Sequence, residues 1–77
     1  MKSRIKLNEG EKLKHEKHRS EGTLAETDID TYSVVNLSGD VIGSVVHTDH
    51  TSIKGFARTQ SVLQKDAVGT IIVDETW

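Results

Sequence analysis

Thr31-Tyr32-Ser33-Val34-Val35-Asn36-Leu37 and Val41-Ile42-Gly43-Ser44-Val45-Val46 flank the short turn Ser38-Gly39-Asp40. Both runs are dense in β-branched residues, which suit a pleated, half-buried strand surface. A Gly-containing turn between two such runs signals an antiparallel hairpin. The apolar residues do not alternate cleanly. With Ser38-Gly39 as a two-residue turn, Val35, Leu37, Ile42 and Val46 share one face, and Tyr32, Val34, Val41 and Val45 share the other. A strand pair that is apolar on both faces is normally covered on both. A chain of 77 residues has little material for two covers, so the surplus points to a partner.

Downstream, Phe56 to Lys65 alternates, Asp66-Ala67-Val68-Gly69 turns, and Thr70 to Trp77 completes a second hairpin. A type I turn with Gly69 in the left-handed position pairs Lys65 with Ile71, Leu63 with Val73 and Thr59 with Trp77. Leu63, Ile71, Val73 and Trp77 then form a dry face, and Gln60, Val62, Gln64, Ile72, Asp74 and Thr76 a wet one. Between the hairpins, His47 to Gly55 reads as a polar loop. The rival is a helix over 52–64, on which Ile53, Phe56, Ala57 and Leu63 partly fit a helical stripe; its Thr, Ser, Val and Gly content argues against it.

The first 30 residues differ. Seven cations (Lys2, Arg4, Lys6, Lys12, Lys14, Lys17 and Arg19) face three acids within residues 1–20, a balance of +4. Residues 21–77 hold three cations and nine acids, a balance of −6. The reading is a charged N-terminal segment, residues 1–30, basic over its first 20 residues, ahead of an antiparallel β body, residues 31–77. Within this basic arm, Arg4 to Lys14 suits a hairpin turning at Asn8-Glu9-Gly10. A helix over 9–21, capped by Asn8 and Glu11, competes with it. That helix has only Leu13 as an apolar residue and no face to bury. Ser20-Glu21-Gly22 is a further turn, and Thr23 to Asp30 is either a short capped helical turn or a polar strand running into the body.

Composition narrows the class. A domain this short buries only about 60% of its unfolded surface and needs added stabilisation. With no Cys, disulfides are excluded and a reducing compartment, the cytoplasm, fits. No apolar run reaches the roughly 18 residues of a membrane span, and the basic start leads into no apolar signal region. One Trp, one Tyr and one Phe make a thin core, which again favours self-association.

Candidate chemistry is sparse. His47-x-Asp49-His50 holds three possible metal ligands, and His15-x-x-His18 with Glu11 three more on a helix. Zinc accepts such groups, but neither cluster has Cys or an evident fourth ligand. A Ser/His/Asp set drawn from the His47–Ser52 stretch lacks a nucleophile elbow and an oxyanion hole. The scattered glycines form no phosphate loop, and no cofactor is implied. The seven cations of the arm are the only nucleic-acid candidate, with no aromatic residue among them to stack on bases.

The sequence therefore reads as a small all-β protein of antiparallel hairpins, with α+β as the alternative if 52–64 or 9–21 is helical. The functional expectation is a non-enzymatic protein-interaction module, self-associating through Tyr32, Val34, Val41, Val45 and Trp77. Its partners are itself, as a homodimer, or another protein. The alternative is a nucleic-acid-binding regulator using the basic arm.

Overall fold

The computed structural model describes residues 4–22, 25–52 and 58–77. Five strands follow in order: β1 (Lys12–Glu21), β2 (Ala25–Val35), β3 (Val41–Ser52), β4 (Arg58–Asp66) and β5 (Ile71–Thr76). They form one sheet in the order β1-β2-β3-β4-β5, every neighbouring pair antiparallel. The protein is all-β, as its β-branched runs and turn residues predict. Of the 9–21 helix alternative, residues 12–21 are strand and 9–11 belong to the turn before it, because a run with one apolar residue gains more from pairing with β2 than from an unburied helix. Of the 52–64 alternative, residues 53–57 lie outside the described residues and 58–64 are strand.

The turns follow local chemistry. Asn36 and Asp66 each accept, through the side-chain oxygen, the backbone N–H groups two and four residues on: Ser38 and Asp40 in one case, Val68 and Thr70 in the other. In each turn the glycine N–H donates to the first residue's carbonyl, and Gly39 and Gly69 have φ of 85° and 90°. Short polar side chains that mimic a backbone acceptor favour such turns. The β2–β3 connection is thus Asn36 to Asp40, longer than the two-residue turn expected.

Three strands carry one extra residue each: Glu16 in β1, Ile42 in β3 and Ile72 in β5, where the register shifts. Side chains alternate along a strand, so each bulge exchanges the faces beyond it. The Ile42 bulge packs Ile42 on the core and sends Val41 to the other side, 61% exposed. The Ile72 bulge pairs Gln64 with Val73 and Leu63 with Asp74. Val62, Gln64 and Val73 consequently share the core face, and Leu63 turns away from it. This reverses the dry and wet faces expected for β4. Gln60, rather than Thr59, exchanges both backbone hydrogen bonds with Trp77 (2.8 and 2.7 Å).

The core lies on one face only. Val34, Val45, Val62 and Val73 are buried there with Ile5, and Leu13, Tyr32, Ile42 and Trp77 pack around them. Ile5 comes from the segment Arg4–Leu7, which crosses this face instead of pairing with residues 12–14 as a hairpin. The segment is held by Gln64, whose buried side-chain amide accepts from the Lys6 N–H (2.8 Å) and donates to the Lys6 carbonyl (2.7 Å). Arg4 adds a guanidinium 4.1 Å over the Trp77 ring and an ion pair with Glu75 at 3.8 Å. The basic arm and the body are therefore parts of one sheet. Residue 30, taken from the sequence as the boundary between them, falls inside β2.

Candidate interaction surface

The face opposite the core has no cover among the described residues. Five residues in register cross it from edge to edge: Lys17, Thr31, Val46, Leu63 and Asp74. One flanking row adds Ile29 with Thr48, Ser61 and Thr76, the other adds Ser33, Ser44, Lys65 and Ile71, and Val35 and Val41 pair in the row beyond it. Ile29, Val35, Val46 and Leu63 are half-buried by their own neighbours, and Ile71 is 53% exposed. The result is a surface with an apolar centre and charged side chains around it, Lys65 of β4 among them. Cations border it along β1: Lys12, Lys14, Lys17 and Arg19. Lys14 and Arg19 are partly offset by Glu16 (3.9 Å) and Glu21 (2.9 Å), and Glu16 also accepts the Ser33 hydroxyl at 2.8 Å.

The interface residues expected from sequence divide. Val34 and Val45 are 3% and 0% exposed beneath Arg4–Leu7, and Tyr32 packs beside them. Trp77 is half-buried under Arg4. Val41 alone of the five stands on the open face. Ile29, Val46 and Leu63 are not among the interface residues expected from the sequence, which reads Val46 and Leu63 only as members of apolar faces. Their signal was the alternation itself, which the bulges at Ile42 and Ile72 conceal.

The basic residues do not form one surface either. Arg4 is engaged with Trp77 and Glu75 on the core side, Lys6 is pinned through its backbone, and the other four described cations line β1. Lys2 lies outside the described residues. The aromatic side chains Tyr32 and Trp77 belong to the core face, opposite that row of cations.

The far end of the core face, beyond Arg4–Leu7, is polar. The bulge at Glu16 brings His15 and His18 to the same side, which an unbroken strand would not do. Both reach Asp30 across the β1–β2 pair: His15 Nε2 at 3.0 Å and His18 Nδ1 at 2.7 Å from Oδ1. The His18 hydrogen bond holds the Asp30 carboxyl below its ordinary value; desolvation opposes this and the His15 bond adds to it. Asp28 accepts the Ser20 hydroxyl at 2.6 Å. Ser20 also lies 3.0 Å from His18 Nε2, so Ser20, His18 and Asp30 touch in the order of a hydrolase triad. The hydroxyl proton, however, is committed to Asp28, which leaves His18 no proton to take from it.

His47, Asp49 and His50 lie in β3, not in a loop, because Ala25 to Val35 offers a long pairing partner. Alternation separates them. His47 donates to Gln60 Oε1 (3.1 Å) on the core face, and Asp49 there accepts two bonds from Arg58 Nε (3.0 and 3.1 Å). His50 is on the open face, 2.7 Å from the Thr27 hydroxyl. The Arg58 hydrogen bond holds the Asp49 carboxyl below its ordinary value. Among the described residues, no group of three or more His, Cys, Asp or Glu side chains is arranged to hold a metal ion. No described helix is long and apolar enough to cross a membrane. Compared with known protein families, curated proteins and solved structures, the chain matches none.

Proposed function

We propose that the protein is a small non-enzymatic protein-interaction module, of the regulator, adaptor or inhibitor kind, that self-associates through the open face of its sheet. One observation carries this reading: the chain's own segment closes the apolar part of one face, while Ile29, Val35, Val41, Val46, Leu63 and Ile71 on the other face have no cover among the described residues. A sheet face with an apolar centre and a polar rim has the make-up of a contact surface. The commitment of the Ser20 hydroxyl to Asp28 and the separation of His47 from His50 support a role by contact over one by chemistry. Absence of Cys fits a reducing setting, the cytoplasm.

Val45 and Val46 are adjacent and face opposite ways, which makes the test direct. Val46→Asp puts a charge on the open face and is expected to abolish self-association while the β circular dichroism signal remains. Val45→Asp buries an unpaired charge in the core and is expected to unfold the protein. Light scattering across a gel-filtration peak reads the association. A folded wild-type monomer at micromolar concentration, or a Val46→Asp variant that associates as before, would overturn the reading.

A further inference from the structure

The central row of the open face has a polarity: cation at β1, apolar in the middle, anion at β5. Among the described residues, neither Lys17 nor Asp74 forms an ion pair. We propose that the occupant of this face is a second copy of the chain, related by a two-fold axis that runs along β3 and passes beside Val46. This rests on the self-association reading given above and adds the symmetry and the residues that set it.

Any in-plane two-fold axis brings the open faces together, and two of them keep the strands of the copies aligned. An axis across the strands lays β1 over β1, and sets Lys17 against Lys17 and Asp74 against Asp74. An axis along β3 turns the sheet over and exchanges its margins, so that β1 lies over β5 of the second copy. Val46 then meets its own counterpart, Thr31 meets Leu63, and Lys17 meets Asp74 at both ends of the row. Like charges opposed across an interface are costly and opposite ones set its register, so the second axis is the one the row selects. Facing sheets pack about 10 Å apart, a gap that a lysine stem reaching toward a carboxylate closes. The twist of each sheet leaves the strand directions of such a sandwich about 30° apart. At about 3.4 Å per residue and 4.8 Å per strand, five strands of these lengths offer roughly 800 Å² per copy, the size of a standard specific interface.

The experiment is a charge exchange on the full chain, read by sedimentation equilibrium. Lys17→Asp alone and Asp74→Lys alone each turn both symmetric pairs repulsive and are expected to weaken the dimer at least about tenfold. The double variant Lys17→Asp/Asp74→Lys restores both pairs with sign reversed and is expected to return to within about threefold of the wild type. Both positions are exposed, and circular dichroism checks that each variant is folded; Lys17→Glu with Asp74→Arg repeats the exchange with different side chains. A double variant as weak as the single ones, in a protein that Val46→Asp still dissociates, overturns this axis and leaves the open face as the contact surface. Dimerisation indifferent to Val46→Asp or, should that variant lose its fold, to Thr48→Arg on the same face overturns both.

Discussion

Replacing Gln64 by Leu tests what holds the cover on the core. Leucine keeps most of the buried volume and removes both polar contacts to Lys6, so the effect isolates the hydrogen bonds rather than a cavity. Each bond contributes about 1 kcal/mol net, and a buried backbone group left without a partner costs about 1–3 kcal/mol. The segment has one alternative, which is to lift off and solvate the Lys6 backbone. That exposes Ile5, at about 1.5–3 kcal/mol for a side chain of its size, and opens Val34, Val45, Val62 and Val73 to water. By either route the expected loss is about 2–4 kcal/mol, a large share of the stability of a small domain. Urea unfolding followed by circular dichroism measures the loss. The single Trp reports the cover itself, since Arg4 leaves its ring when the segment lifts. A loss under about 0.5 kcal/mol, with the Lys6 amide still protected from exchange, would refute the assignment of Gln64 as the clasp.

Two further substitutions probe the sheet. A Cβ at Gly43 would lie 2.6 Å from the Lys65 carbonyl oxygen, so Gly43→Ala forces β3 and β4 apart and is expected to cost about 1–3 kcal/mol in urea unfolding. The depressed Asp30 carboxyl, held chiefly by His18, adds stability above its unfolded value of about 3.9 that is lost as pH falls through the lower folded value. The stability difference between wild type and Asp30→Asn is therefore expected to be positive near pH 5 and to vanish in stronger acid, as read from thermal unfolding across that range.

The β class was legible because its signals are local. The valines around Ser38-Gly39 and the Asp66–Gly69 turn describe their own conformation, and the pairing of Lys65 with Ile71 beside that turn is as read. What was not legible is which way side chains point more than a few residues from a turn. A bulge leaves no mark in composition: Glu16, Ile42 and Ile72 are ordinary strand residues, and only the fit of each strand to its neighbours and to the core places the extra residue there. Each moves the boundary between core and surface by one position, enough to exchange Val41 with Ile42 and Leu63 with Val62. The cover was hidden for another reason. Arg4-Ile5-Lys6-Leu7 alternates as a strand does, and its partner is a side chain 58 residues away that reads as a polar surface residue. Asp30 was missed beside His15 and His18 because the sequence offered a helix, with Glu11, as the way to unite those histidines.

That separation of 58 residues has a bearing on how the chain reaches its fold. Every strand pairs with its neighbour in sequence, so the ladder assembles through short loop closures, which are fast. The contacts of residues 4–6 with Gln64, Glu75 and Trp77 close far longer loops than any strand pairing does, and they reward closure only once β4 and β5 have joined the sheet. The clasp accordingly belongs to the downhill side of the folding barrier. In stopped-flow experiments Gln64→Leu should leave the refolding rate nearly unchanged and raise the unfolding rate by nearly the full loss of stability. Lifetime, more than speed of formation, is then what residues 4–7 contribute: they set how long the finished sheet lasts before it opens.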